Sequence, residues 1–321
     1  MAAVPAQNGA LQGAMQAMLN SRDIEGLDSG GDYTTIVNAV NSFALQASSS
    51  VGGISTGDNQ NLFASICLAV LADRSLSLVD NTPGVANPYY PWCQAAAEAY
   101  GVANAKLSGG VVSHYGALIG AMGAILTGRD LTGLDSAGDY TAPVNAADSF
   151  ALQVGSAVGV ITAGNNEILL TNIVEGAMYG RSISVVGGAL GVTNPYYALS
   201  QAINTVYSAA VMSMTGSVAQ IAAFQGAMQG VLAKRDITGL TLSGDYATAI
   251  AAAVAFAEEV AALVISETIT VATSDDSQLL AAISAAVTFG RPFTDPTEAT
   301  YTASATAALE AFQVAQLVLT T

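Results

Sequence analysis

Arg22–Tyr33 reads RDIEGLDSGGDY, and the pattern returns as RDLTGLDSAGDY at Arg129–Tyr140 and as RDITGLTLSGDY at Arg235–Tyr246. The flanks repeat with it. ALQGAMQAML from Ala10 corresponds to ALIGAMGAIL from Ala117 and AFQGAMQGVL from Ala223, and NSFALQ from Asn41 corresponds to DSFALQ from Asp148 and VAFAEE from Val254. The copies lie 107 and 106 residues apart, and the full length of 321 residues is three times 107. A fixed period of this kind marks an internal triplication.

A second block repeats more loosely. NLFASICLAVLADR ends at Arg74, EILLTNIVEGAMYGR at Arg181 and QLLAAISAAVTFGR at Arg291; NPYY follows at Asn87 and Asn194, where the third copy has only DPTEATY from Asp295. All six arginines fall in this register, two per copy, and the only other strong cations are Lys106 and Lys234.

Each copy reads as four helices. Leu11, Met15, Met18 and Leu19 follow helical spacing over Ala10–Ser21, and Ile36, Val40, Phe43 and Ala44 share a face after Asp32. A third helix is expected over Asn59–Asp73, and a fourth from Pro88, a favoured first-turn residue, to Tyr100. Ser/Thr-rich connectors such as Ser48–Gly57 are candidates for short strands. Ala and Gly dominate the helix faces; they allow close contact but bury little area, so burial must come from many helices packing together. The expected fold is all-α, with three tandem repeats of about 107 residues (1–107, 108–214 and 215–321) arranged as a pseudo-threefold ring or a short solenoid.

Composition narrows the function. Hydrophobic residues make up 52% and charged residues 10%, against about 25% charged in ordinary soluble proteins. The uncharged run Ser182–Ala233 is too rich in Ala, Gly, Ser, Asn and Gln to read as a membrane span. The surplus of apolar surface fits assembly with neighbouring subunits. A net charge of −16 and an isoelectric point near 4.1 disfavour nucleic acid. Cys67 and Cys93 form neither a metal pattern nor a disulfide framework, and read as buried thiols. The opening MAAVPAQNGALQG lacks a basic region followed by a long apolar one, so no secretory signal is expected.

The repeated corner could be a calcium loop using Asp23, Glu25, Asp28 and Asp32. It lacks EF-hand spacing, and Thr238 and Thr241 replace two of the acids in the third copy. A structural corner explains all three copies. Asp32, Asp139 and Asp245 would cap the second helix ahead of Tyr33, Tyr140 and Tyr246, with Gly26, Gly133 and Gly239 supplying positive φ. Arg22, Arg129 and Arg235 would sit at a helix C-terminus, where a cation suits the dipole and can bond the last carbonyls. Arg74, Arg181 and Arg291, with Tyr89, Tyr90, Trp92, Tyr196 and Tyr197, are candidate cap or interface residues. His114 is the lone histidine, without a nucleophile elbow or a metal-ligand pattern around it. No catalytic set, cofactor or metal site is expected.

The sequence therefore points to a non-enzymatic structural protein that assembles with itself or with other structural proteins. The favoured form is a virion component of a bacterial virus, made in the host cytoplasm, such as a capsid decoration, tail or fibre-like subunit. The alternatives are an extracellular filament or surface-layer subunit exported by a route other than the general secretory one, and a small-molecule-binding helical repeat protein.

Overall fold

A computed structural model of the chain describes residues 4–20, 22, 31–79, 82–127, 129, 137–186, 190–233, 235, 237–239, 245–290 and 300–319. The described residues form twelve α-helices and contain no strand. In chain order these are α1 (Val4–Asn20), α2 (Gly31–Val51), α3 (Asp58–Leu71), α4 (Tyr90–Asn104), α5 (Val112–Leu126) and α6 (Ala137–Val158). They continue with α7 (Asn165–Met178), α8 (Tyr197–Ser213), α9 (Val218–Leu232), α10 (Asp245–Ser266), α11 (Ser274–Thr288) and α12 (Thr300–Gln316). A 3-10 turn, Ile237–Gly239, precedes α10.

Two kinds of helix alternate along the chain. The odd-numbered helices are buried on nearly every side: α1 is buried without a break from Asn8 to Leu19, α5 from Gly116 to Leu126 and α9 from Ala222 to Leu232. The even-numbered helices bury one stripe, as α8 does through Leu199, Ala202, Ile203, Val206 and Ala210. The first pattern belongs to an interior helix and the second to a surface helix. In α2 the buried face includes Ile36, Val40, Phe43 and Ala44, the set that the 3–4 spacing marks.

The contacts follow this division. Among the odd-numbered helices α1 packs on α3, α3 on α5, α5 on α7, α7 on α9, α9 on α11 and α11 back on α1. The even-numbered helices form a second cycle outside it, in which α12 returns to α2. Where α11 meets α1 and α3, the Asp275 carboxylate accepts from Asn8 Nδ2 at 2.8 Å and from Gln60 Nε2 at 2.6 Å, joining residues 267 positions apart.

Small residues permit the inner packing. Gly13, Gly120 and Gly226 hold the same place in the repeated GAM triplet. A Cβ there would lie 2.0 Å from the Ala64 carbonyl oxygen, 2.4 Å from that of Thr171 and 2.0 Å from that of Ala281 respectively. Each glycine marks a crossing where two inner helices run closer than any side chain allows. Phe43, Phe150 and Phe256, also equivalent in sequence, are fully buried. Each contributes roughly 1.5–3 kcal/mol by leaving water.

Several local expectations shift. The first helix begins at Val4, with Pro5 in its first turn. Ser48–Val51 complete α2, and residues 52–57 form an irregular link, so this connector is not a strand. Pro88 lies ahead of α4, and Pro91 fills the first-turn position. The uncharged run 182–233 is divided between an irregular segment, α8 and α9. Among the described residues one helical stretch, Tyr246–Ser266 in α10, is long and apolar enough to cross a membrane, and half of it is buried inside the protein. Cys67 and Cys93 are free and buried.

Candidate functional site

The repeated corners join each first helix to the second. Asp23, Glu25, Asp28, Gly26 and Gly133 lie outside the described residues. Asp32 and Asp139 fall inside the first turn of α2 and α6 rather than at the preceding cap, and Asp245 is the first residue of α10. An acid in the first turn still meets the positive end of the helix dipole. Tyr33, Tyr140 and Tyr246 are buried. The Tyr246 hydroxyl donates to the Ile237 carbonyl at 2.5 Å, tying the start of α10 to the corner before it. Burial, with smaller contributions from nearby acids, pushes the phenols of Tyr33 and Tyr140 up to about 12. Arg129 Nε donates to the Ile125 carbonyl at 2.9 Å, so this guanidinium caps the C-terminal end of α5. The backbone N–H groups of Arg22 and Arg235 donate to Leu19 and Leu232 at the ends of α1 and α9.

The NPYY segments are built by local hydrogen bonds. Asn87 Oδ1 accepts from Tyr89 N at 2.9 Å, and Asn194 Oδ1 from Tyr196 N at 2.8 Å, each an Asx turn leading into a helix. The first tyrosine of each pair reaches back across the loop: Tyr89 bonds the Ser77 backbone and Tyr196 the Ser184 backbone. Gln46 Oε1 accepts from Gly84 N at 2.7 Å, and Gln153 Oε1 from Gly191 N at 2.9 Å. The glutamine of FALQ thus holds the turn before NPYY. In the third copy Glu259 stands in its place and NPYY is gone with it. Tyr90, Tyr197 and Trp92 are half-buried; Trp92 stacks on Tyr89 with ring centroids 5.7 Å apart, and Arg74 Cζ lies 4.9 Å from the Trp92 ring centroid. Arg181 follows α7 as Arg74 follows α3, and Arg291 lies outside the described residues.

His114 pairs with Asp148, Nε2 to Oδ1 at 2.9 Å, and Lys106 Nζ reaches Asp148 Oδ2 at 3.1 Å. The other ring nitrogen, Nδ1, is buried with no hydrogen-bond partner among the described residues. At the equivalent place in the first copy Gln7 donates to Asn41 Oδ1 at 3.2 Å. The His–Asp pair joins α5 to α6 as the Gln–Asn pair joins α1 to α2.

The most distinctive chemistry lies among the inner helices. One cavity of about 240 Å³ sits where the C-terminal ends of all six meet, and includes Asn20, Asp73, Thr127, Tyr179, Ala233 and Phe289 in its lining. A smaller one of about 70 Å³ is lined further along by Gln12, Gln16, Asn61, Ser65 and Asn172. Glu175 borders both. Its side chain is 7% exposed, and burial pushes its carboxyl up to about 8. At the other end of α7, burial and then the Asp58 charge and hydrogen bond push Glu167 up to about 7. Gln60, the counterpart of Glu167, bonds Asp275, the counterpart of Asp58, through an ordinary amide donor.

Sequence reasoning passed over Glu175, Asp73 and Asn20. They lie on the looser repeat block or at helix ends, and no motif announces them. The available signal is a break in the repeat: Glu175 stands where the other copies have Leu68 and Ala285, and Asp73 where they have Gly180 and Gly290. The chain matches no protein-family model, and no curated protein or solved structure shows significant similarity to it.

Proposed function

We propose that the chain is a non-enzymatic structural subunit whose three tandem repeats form a pseudo-threefold ring of four-helix units. In this reading residues 1–107, 108–214 and 215–321 each supply two inner and two outer helices, one chain doing what a homotrimer does elsewhere. The cyclic order of contacts, with α11 returning to α1, favours a ring over an open solenoid.

The observation that carries the assembly role is a repeated pair of exposed apolar residues. Leu78 and Val85 are 60% and 79% exposed, and their equivalents Val185 and Val192 are 57% and 76% exposed. Both pairs sit on the long connections before α4 and α8, beside Arg74, Tyr90, Arg181 and Tyr197. Two copies of one apolar corner on one subunit suit attachment to a repeating partner surface. A ring leaves no repeat surface open for end-to-end stacking, which favours a subunit added to a particle, such as a bacterial-virus virion, over a self-propagating filament.

Native material examined by electron microscopy and light scattering tests this. Attachment to a particle is expected, and it should be lost when Leu78, Val85, Val185 and Val192 are all replaced by Ser with the melting temperature kept. A monodisperse monomer that joins no particle or polymer would overturn the proposal.

A further inference from the structure

The three copies diverge most consequentially around the larger cavity. At one position the copies carry Leu68, Glu175 and Ala285; at the facing position they carry Gln16, Gly123 and Gln229. The missing side chain in the second copy makes room for its acid, since a Cβ on Gly123 would lie 2.6 Å from Glu175 Oε1. At the end of the third helix the copies carry Asp73, Gly180 and Gly290, with φ of 61°, 72° and 67°. Two copies use glycine for this left-handed residue, and the first accepts the strain of a side chain there.

Both acids work against the scaffold. They lie at or near the C-terminal ends of α3 and α7, the negative ends of the helix dipoles. Glu175 is also buried, only 7% exposed, at a cost that a packed apolar residue avoids. The other copies fold without either acid, so neither is needed to build a unit. A cavity shared by three units needs only one set of ligand groups, and that set can come only from positions where the copies differ.

The lining states its own preference. Glu175, Asp73 and the buried, unpartnered Oδ1 of Asn20 are acceptors, and six helix C-termini converge around them. No Lys or Arg side chain is among the described lining residues. Two nearby guanidiniums are turned to other partners, Arg129 to the Ile125 carbonyl and Arg74 to the Trp92 ring. Tyr179 and Phe289 meet edge to face in the cavity wall with centroids 4.7 Å apart, offering aromatic surface to a cation with an apolar stem.

We propose that this cavity is a binding site for a small organic ammonium ion, held by Glu175 and Asp73 against the Tyr179–Phe289 aromatic wall. The site goes beyond the assembly role and is independent of it: a chain that joins no particle would still bind the amine, and a particle subunit could fail to.

The test is calorimetric titration of the full chain at about pH 9, where Glu175 is ionised and an alkylammonium is still charged, with n-butylammonium chloride as ligand and 1-butanol and potassium chloride as the uncharged and inorganic controls. Saturable one-to-one binding of butylammonium is expected, at least tenfold tighter than either control. Glu175→Gln should weaken it at least tenfold. Asp73→Gly restores the residue of the other two copies; it should keep or raise the melting temperature while weakening binding, which separates loss of a ligand group from loss of fold. Absence of saturable binding, equal binding of butanol or potassium, or wild-type affinity in both variants would overturn the proposal.

Discussion

Replacing Gly226 by Ala places a methyl group 2.0 Å from the Ala281 carbonyl oxygen and 2.8 Å from Ala285 N. Both obstacles are backbone atoms of α11, so no side chain can swing aside. The oxygen lies roughly 1.5 Å inside ordinary contact distance, and α9 and α11 must move apart or distort. Overpacking of this kind costs about 1–3 kcal/mol, and the opened crossing also loosens neighbours such as Met228 and Ile283. Against this, Gly→Ala in a helix interior gains about 1 kcal/mol of intrinsic propensity. Gly101 in α4 isolates that second effect, because a Cβ there meets nothing within 4 Å. Gly101→Ala should therefore stabilise by up to about 1 kcal/mol. Gly226→Ala should destabilise by about 1–2 kcal/mol despite the same propensity gain. Urea unfolding followed by circular dichroism at equal protein concentration measures both. Equal stabilisation by the two substitutions would refute the close crossing, and with it the account of the GAM triplets at Gly13, Gly120 and Gly226.

Tyr89→Phe removes a buried hydroxyl that bonds Ser77 and should cost about 1–1.5 kcal/mol by denaturant unfolding, while Tyr196→Phe, at the more exposed copy, should cost less. Asp139→Ala should cost only about 0.3–1 kcal/mol, since Asp139 is exposed in the first turn of α6 and acts through the helix dipole; a loss above about 2 kcal/mol would restore it to a true capping role. The fold favours the protonated forms of Glu167 and Glu175, whose pKa values are raised to about 7 and about 8. Their stabilising share is complete below the ordinary glutamate value of 4.5 and is lost as the pH rises through 7 and 8. The melting temperature should therefore fall from about pH 5 to about pH 9, and Glu175→Gln should flatten the upper part of that fall. A melting temperature that climbs across this range would contradict the burial of both carboxyls.

The helices are largely legible because recurring sequence blocks report most of them more than once. The alternation of inner and outer helices is not. α1 was expected to show one apolar face through Leu11, Met15, Met18 and Leu19, yet its buried run also takes in Asn8, Gln12 and Gln16. Those amides line the space between the inner helices, so their polarity marks the interior rather than the surface. The corner glycines are expected to matter for positive φ, but the glycines whose Cβ would come nearest to another helix's backbone are Gly13, Gly120 and Gly226, where the requirement is close approach. NPYY reads in the sequence as a set of interface residues. Its chemistry became readable only when Gln46 and Gln153 were placed against the turns at Gly84 and Gly191. Glu175 is hidden for another reason: what singles it out is the loss of symmetry with Leu68 and Ala285, and no motif marks a position where the copies differ.

The central claim is that the last quarter of the chain closes back on the first. Asn8 and Asp275 test it most directly, because they are joined at 2.8 Å across 267 residues of sequence. The decisive measurement is a double-mutant cycle of Asn8→Ala and Asp275→Ala by denaturant unfolding. Ring closure predicts a coupling energy of about 1 kcal/mol or more between the two sites. Effects that add to within about 0.5 kcal/mol would contradict it, because an open stack of repeats keeps these two side chains apart.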